Sequence, residues 1–226
     1  MLNNKIEDLY KNDCLEILKN IKNESIDLIV TDPPYVIGYE KGRDDVLYDN
    51  QKIENELNIK WISPVIKELY RILKTNSGGY LFSSFKSVDL FKKELEKYFK
   101  IENILIWKKN NFSFPNKNKF NYIYEIIYFI SKGDIKINYK SDHDVLEFRK
   151  VQKLSHVTEK PIYLLEYLIG SLGRPGDVVI DPFMGSGSTG VAAKRLNRGF
   201  IGIEINDHYF EIAEKRIKNN FQMKFI

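Results

Sequence analysis

A chain of 226 residues, 43% of them hydrophobic, is long enough to bury a full core, and its composition fits one main globular domain. The single Cys14 excludes an intramolecular disulfide, three scattered histidines form no zinc constellation, and no apolar run reaches membrane-spanning length. A net charge of +4 permits an anionic partner without demanding one.

The opening "MLNNKIEDLYKND" lacks the apolar centre and small-residue cleavage site of a signal peptide, which points to a cytoplasmic protein. A helix is predicted from Cys14 to Ile21, with Asp13 and Glu16 spaced as a capping box. Ile26 to Val30 reads as a buried strand that runs directly into "TDPPY", Thr31 to Tyr35. Residues Val36 to Lys60 carry "EKGRDD" and little apolar content, and read as a mobile loop. Then follow a helix from Ile59 to Leu73, a strand from Gly79 to Ser83, a helix from Ser87 to Tyr98, and strands from Ile101 to Trp107 and Tyr124 to Ser131.

Between those last strands, "KKNNFSFPNKNKFNYIY" interleaves Lys108, Lys109, Lys117 and Lys119 with aromatic residues and contains no acid. That mixture suits a phosphate backbone with bases beside it, and equally a solvated loop. The wider stretch at about 110–155 is poorly periodic and reads as a small insert carrying recognition. A helix from Glu159 to Leu172, a strand from Val178 to Asp181, a helix from Ser188 to Leu196, a strand from Phe200 to Glu204 and a helix from Asp207 to Lys218 complete the chain. Asn206 or Asp207 is placed to cap that last helix. Such alternation predicts an α/β, doubly wound, mostly parallel sheet with helices on both faces.

"DPFMGSGST", Asp181 to Thr189, joins a strand to a helix through a glycine-rich turn. Glycines let the backbone bend sharply and approach a ligand, and the helix start presents free amides. Glu204 ends the next strand, where an acid can accept hydrogen bonds from ribose hydroxyls. An adenosine-containing cofactor follows from the whole unit. Ser188 and Thr189 suit either ligand contact or the cap of the helix.

Taken together, "TDPPY" and "DPFMGSGST" resemble the amino-methylating DNA methyltransferases that use S-adenosylmethionine. "NDCLEIL", "IWKKNN" with Glu125 downstream, and "HVTEKPIYLLEYLI" resemble further segments of that family. The Asp-Pro-Pro-Tyr step precedes the cofactor turn, which resembles the permuted β group. The resemblance thus implies a Rossmann-like methyltransferase sheet, circularly permuted, in a single domain over residues 1–226. Permutation keeps a sheet intact because domain ends usually lie at the surface.

An exocyclic amine is a poor nucleophile because its lone pair is delocalised into the ring. Asp32 and the carbonyl of Pro33 can each accept one amino hydrogen and aim the nitrogen at a sulfonium methyl group. Pro33 and Pro34 fix φ and donate nothing, and Tyr35 offers a face to a base flipped out of the duplex. The expected catalytic residues are Asp32, Pro33, Pro34 and Tyr35. The resemblance adds cofactor-binding candidates: Asp13, Cys14, Asp32, Thr158, Lys160, Asp181, Phe183, Gly185, Gly187, Ser188, Thr189 and Glu204. Thr158 equally suits a helix N-cap, Lys160 can meet a carboxylate or stand in solvent, and Cys14 reads as a small buried residue. Lys108, Lys109, Lys117 and Lys119 are the DNA-binding candidates.

Asp in the first place of the motif favours adenine-N6 over cytosine-N4 within the family. A catalytically silent DNA-binding subunit of the same fold is the reading from another class. Double-stranded DNA is the expected partner, with a second copy of the chain and a restriction endonuclease counterpart as further candidates and no metal.

Overall fold

The computed structural model describes residues 7–34, 61–109, 120–121, 123–139, 143–149 and 159–219. Along the chain run β1 (Glu7–Lys11), α1 (Cys14–Leu18), β2 (Ile26–Thr31), α2 (Ile62–Ile72), β3 (Leu73–Ser83), α3 (Val88–Leu95) and β4 (Lys100–Lys109). After them come β5 (Tyr124–Lys132), β6 (Val145–Phe148), α4 (Ile162–Leu172), β7 (Val178–Asp181), α5 (Ser188–Arg195), β8 (Gly199–Glu204) and α6 (Asp207–Asn219). These strands form one eight-stranded sheet in the order β1-β8-β7-β2-β3-β5-β4-β6. Its pairs are parallel except the two that β5 makes with β3 and β4, so β5 alone runs against the rest.

Alternating side chains divide the core between the two faces of the sheet. Ile29, Tyr128 and Ile180 pack in one cluster with residues of α1, α2 and α3, while Leu28, Val30, Phe129 and Val179 pack in the other with residues of α4, α5 and α6. Burying such a side chain fully contributes about 1.5–3 kcal/mol. Covering on both faces explains why β2 and β7 read as short, nearly continuous apolar runs. The expected doubly wound sheet is the one the chain builds.

Several boundaries differ from the sequence reading, each for a local reason. β1 has no apolar alternation because it is an edge strand, mostly exposed, and exists through its pairing with β8. β6 is a four-residue edge strand against β4. β3 begins directly after α2, at Leu73, because its first turns are polar and carry no strand signal. Within the stretch read as an insert, residues 124–132 form β5 between β3 and β4, so that part belongs to the central sheet. The loop expected at Val36 to Lys60 lies outside the described residues. Among those described, no helix is long and apolar enough to cross a membrane.

β2 lies between β7 and β3. From β7 the chain crosses through α5 to β8, whereas α2, on the opposite face, leads into β3 on the other side. The two crossovers diverge at the carboxyl ends of β2 and β7, and divergence of this kind makes a crevice in an open sheet. Open sheets of this kind take their ligands there.

Arg71 on α2 ties that helix to the end of α1. Its guanidinium donates to the carbonyls of Leu18 and Ile21, both at 2.8 Å, and to Glu68 at 2.7 Å. Replacing Arg71 with Met strands those carbonyls and is expected to lower stability by about 1–3 kcal/mol in urea denaturation. An unchanged midpoint would show that water replaces the guanidinium at no cost.

Candidate active site

β2 and β7 run side by side and end on Thr31 and Asp181. The Thr31 hydroxyl donates to Asp181 Oδ1 at 2.9 Å, the Phe183 amide donates to the same oxygen at 3.1 Å, and the Thr189 hydroxyl donates to Oδ2 at 2.7 Å. Asp181 is 3% exposed. Burial pushes its carboxyl up to about 6; the bonds from Thr189, Thr31 and the Phe183 amide work against that rise, and Asp32 adds to it. Asp181 is therefore a brace between two strand ends and the glycine turn.

The turn itself is held from below by Glu204. Its Oε2 accepts the Gly185 amide at 3.0 Å and its Oε1 the Asn206 amide at 2.8 Å. Burial raises the Glu204 carboxyl from its ordinary range, and those amides oppose the rise. The two glycines differ in purpose. Gly185 has φ +50° and a Cβ there would meet nothing within 4 Å, so the backbone is open to close approach by a ligand. Gly187 has φ +81° and a Cβ there would stand 2.9 Å from the Ala213 Cβ on α6, so it serves packing. Gly187 is also the N-cap of α5, which leaves Ser188 and Thr189 inside the first turn and not at the cap.

Arg216 on α6 fixes the outer side of the same turn. It donates to the Ser186 carbonyl and hydroxyl, both at 2.8 Å, and to Glu159 at 2.5 Å. Phe183 meets Trp61 edge to face at 5.7 Å. Neither Arg216 nor Trp61 stood out in the sequence, since a basic residue on an exposed helix and an aromatic at a helix start are both commonplace.

Asp32 follows β2 directly, and its Oδ2 accepts a short hydrogen bond from Lys160 Nζ. Lys160 is 7% exposed, lies 5.1 Å over the Phe82 ring, and has its Nζ 3.3 Å from Glu125 Oε2. This second contact is an ion pair whose geometry makes no hydrogen bond. Glu125 Oε1 in turn pairs with Lys109 Nζ at 2.6 Å. Lys109, Glu125, Lys160 and Asp32 thus form a chain of alternating charge from β4 through β5 to the end of β2.

Burial opposes the charge on Lys160, but Asp32 and then Glu125 outweigh it and raise the ammonium above its usual range. Glu125 is likewise opposed by burial, yet Lys160 and Lys109 hold its carboxyl below the usual range. Both groups stay ionised, as partners should.

The remaining candidates fall into three groups. Asp13 caps α1, accepting the Leu15 amide at 2.7 Å; Glu16 pairs with Lys19 instead of closing the capping box. Cys14 is partly buried and its thiol is pushed up to about 12 by burial and by Asp13, in line with its reading as a small buried residue. Lys108 pairs with Glu147 at 2.7 Å, and Lys109 is engaged with Glu125. α4 opens at Ile162 with Pro161 in the cap position. Thr158, Tyr35, Lys117 and Lys119 lie outside the described residues.

The raised Asp181 carboxyl carries a consequence for stability. Its folded value, about 6, lies above the ordinary 3.8, so the native state binds the proton more tightly and stability from this group falls as pH rises through that window. Asp181→Asn should remove that fall, giving a flatter dependence in chemical denaturation between pH 4 and 7. An unchanged slope would contradict the assignment.

Comparison with known proteins agrees with this geometry. A family model described as DNA methylase matches residues 26–215. The type II methyltransferase M2.DpnII of Streptococcus pneumoniae is 34% identical over 93% of this chain and 89% of its own length. The DNA adenine methyltransferase YhdJ of Escherichia coli (strain K12) is 30% identical over 95% of this chain and 83% of its own. Among solved structures, the M1.HpyAVI–SAM complex superimposes with a TM-score of 0.74 at 29% identity, covering 93% of this chain and 100% of that one. The PvuII DNA methyltransferase, cytosine-N4-specific, shares the fold with a TM-score of 0.76 at 19% identity, covering 96% and 92% of the two chains. With its sheet, and with its Asp-Pro-Pro step ahead of its glycine turn, the chain belongs to the N6/N4 family of DNA methylases.

Proposed function

We propose that the protein transfers a methyl group from S-adenosylmethionine to the N6 amino group of an adenine flipped out of double-stranded DNA. The observation that carries this reading is Asp32, held by a buried cation at the carboxyl end of β2 and beside the glycine turn. Adenine is favoured over cytosine by Asp in the first place of the motif and by the relative named an adenine methyltransferase. The resemblance to relatives named type II methyltransferases supports a restriction endonuclease counterpart, and the proposed setting is the cytoplasm.

The residues present fit such a cofactor. The backbone at Gly185 is open to close approach, Phe183 offers an aromatic face, and Glu204 and Asp13 offer carboxylates at the ends of β8 and β1. A carboxylate oxygen carries two lone pairs, so Glu204 can hold the turn and still accept from a ribose hydroxyl. When bound, the cofactor supplies a methyl group on a sulfonium: the amino nitrogen's pair forms the N–C bond, the C–S pair returns to sulfur, and a proton leaves the nitrogen for solvent.

The chain's own part is alignment. Asp32 accepts one amino hydrogen and the Pro33 carbonyl the other, which turns the nitrogen lone pair toward the methyl group. Tyr35 stacks on the extruded base, worth about 1–3 kcal/mol against the cost of unpairing. Recognition falls to the residues between β4 and α4 that lie outside β5 and β6, within one methyltransferase domain.

Incubation with labelled S-adenosylmethionine and mixed-sequence DNA, followed by digestion, should place the label in N6-methyl-2′-deoxyadenosine. Label in N4-methyl-2′-deoxycytidine would move the reading to cytosine, label in RNA alone would remove DNA as substrate, and none at all would leave a silent subunit. Asp32→Ala should reduce transfer to background while cofactor affinity measured by calorimetry stays unchanged. Full activity in that variant would take Asp32 out of the mechanism.

A further inference from the structure

We propose that Lys160 is a positioning residue of the transfer: with Glu125 behind it, it fixes the plane and the charge of the Asp32 carboxylate, and it does not bind the cofactor. The inference rests on the reading of Asp32 as acceptor of the amino hydrogen. A carboxylate turns about a soft terminal torsion, and an amino group can be aimed only by an acceptor that does not turn. The ammonium of Lys160, buried and bonded to Oδ2, removes that freedom.

Lys160 is itself immobilised from three directions. Glu159 before it is held by Arg216 on α6, Pro161 after it has a fixed φ of −61°, and its ammonium lies over the Phe82 ring. Glu125 sets how much of the cation Asp32 receives. An ammonium committed to Asp32 alone would cancel the negative charge needed as positive charge develops on the amino nitrogen. Shared with Glu125 at 3.3 Å, it orients Asp32 without neutralising it. Lys109 at 2.6 Å from Glu125 then balances the set, two cations against two anions, with Asp181 the further acid beside Asp32. The sequence placed Lys160 among the cofactor ligands; its buried contacts run to Asp32 and Glu125 instead.

Lys160→Met and Glu125→Gln, made in the full chain, separate the two roles. Under single-turnover conditions with saturating cofactor and DNA, Lys160→Met should transfer about 100-fold more slowly, and Glu125→Gln about 10-fold, while the Kd for S-adenosylmethionine stays within about twofold. A Kd raised about tenfold or more with an unchanged rate at saturation would make Lys160 a cofactor ligand and overturn the proposal. Should Lys160→Met fail to fold, as a thermal scan would reveal, a wild-type rate in Glu125→Gln would overturn it alone. No transfer by the unsubstituted chain to any nucleoside would remove the reading of Asp32, and the proposal with it.

Discussion

A carboxylate taken out of water must find donors or a cation of its own, and the crevice at the ends of β2, β7 and β8 gathers three of them. Each is satisfied by a different chemistry. Asp181 accepts hydroxyls from Thr31 and Thr189 and an amide from Phe183, Glu204 accepts backbone amides from Gly185 and Asn206, and Asp32 accepts the ammonium of Lys160. Neutral donors leave the first two carboxyls raised above their ordinary range, Asp181 to about 6. A buried cation is the partner suited to a carboxylate that must stay charged. Parallel neighbouring strands with neighbouring acids at their ends thus require the braces and ion pairs that surround them.

That requirement also explains how distant parts of the chain meet. Lys160 precedes α4, Glu125 opens β5, Lys109 closes β4 and Asp32 follows β2, so the charge chain can form only after the sheet has assembled. Arg216 does the same for the glycine turn, joining α6 to Ser186 and to Glu159. Among the described residues, β1 pairs with β8 and α6 follows β8, so the first and last described elements lie at one side of the sheet.

Much of this was legible in the sequence because the relevant signals are local. β2, β7 and β8 are apolar runs bounded by breakers, and Asp32, Gly185 and Glu204 sit at the ends that a strand-turn-helix pattern marks. What was not legible depends on tertiary partners. β1, "EDLYK", is a strand only because β8 lies beside it, and β6 only because β4 does. Lys160 reads as a lysine that meets a carboxylate or stands in solvent, and only the fold buries it beside two acids. Lys108 and Lys109 read as exposed cations because Glu147 and Glu125, their partners, are remote in sequence or beyond the run. The roles of Gly185 and Gly187 look identical in "GSG", and only the approach of Ala213 on α6 separates them.

The central claim is that a charge-held Asp32 aligns the amino group of an extruded base. A crystal structure of the protein with a non-reactive cofactor analogue and a duplex it methylates tests this most directly. The predicted result has the adenine amino group within hydrogen-bond distance of Asp32 while Lys160 Nζ remains on the same carboxylate. Lys160 turned onto the cofactor's carboxylate, with Asp32 away from the base, would contradict it.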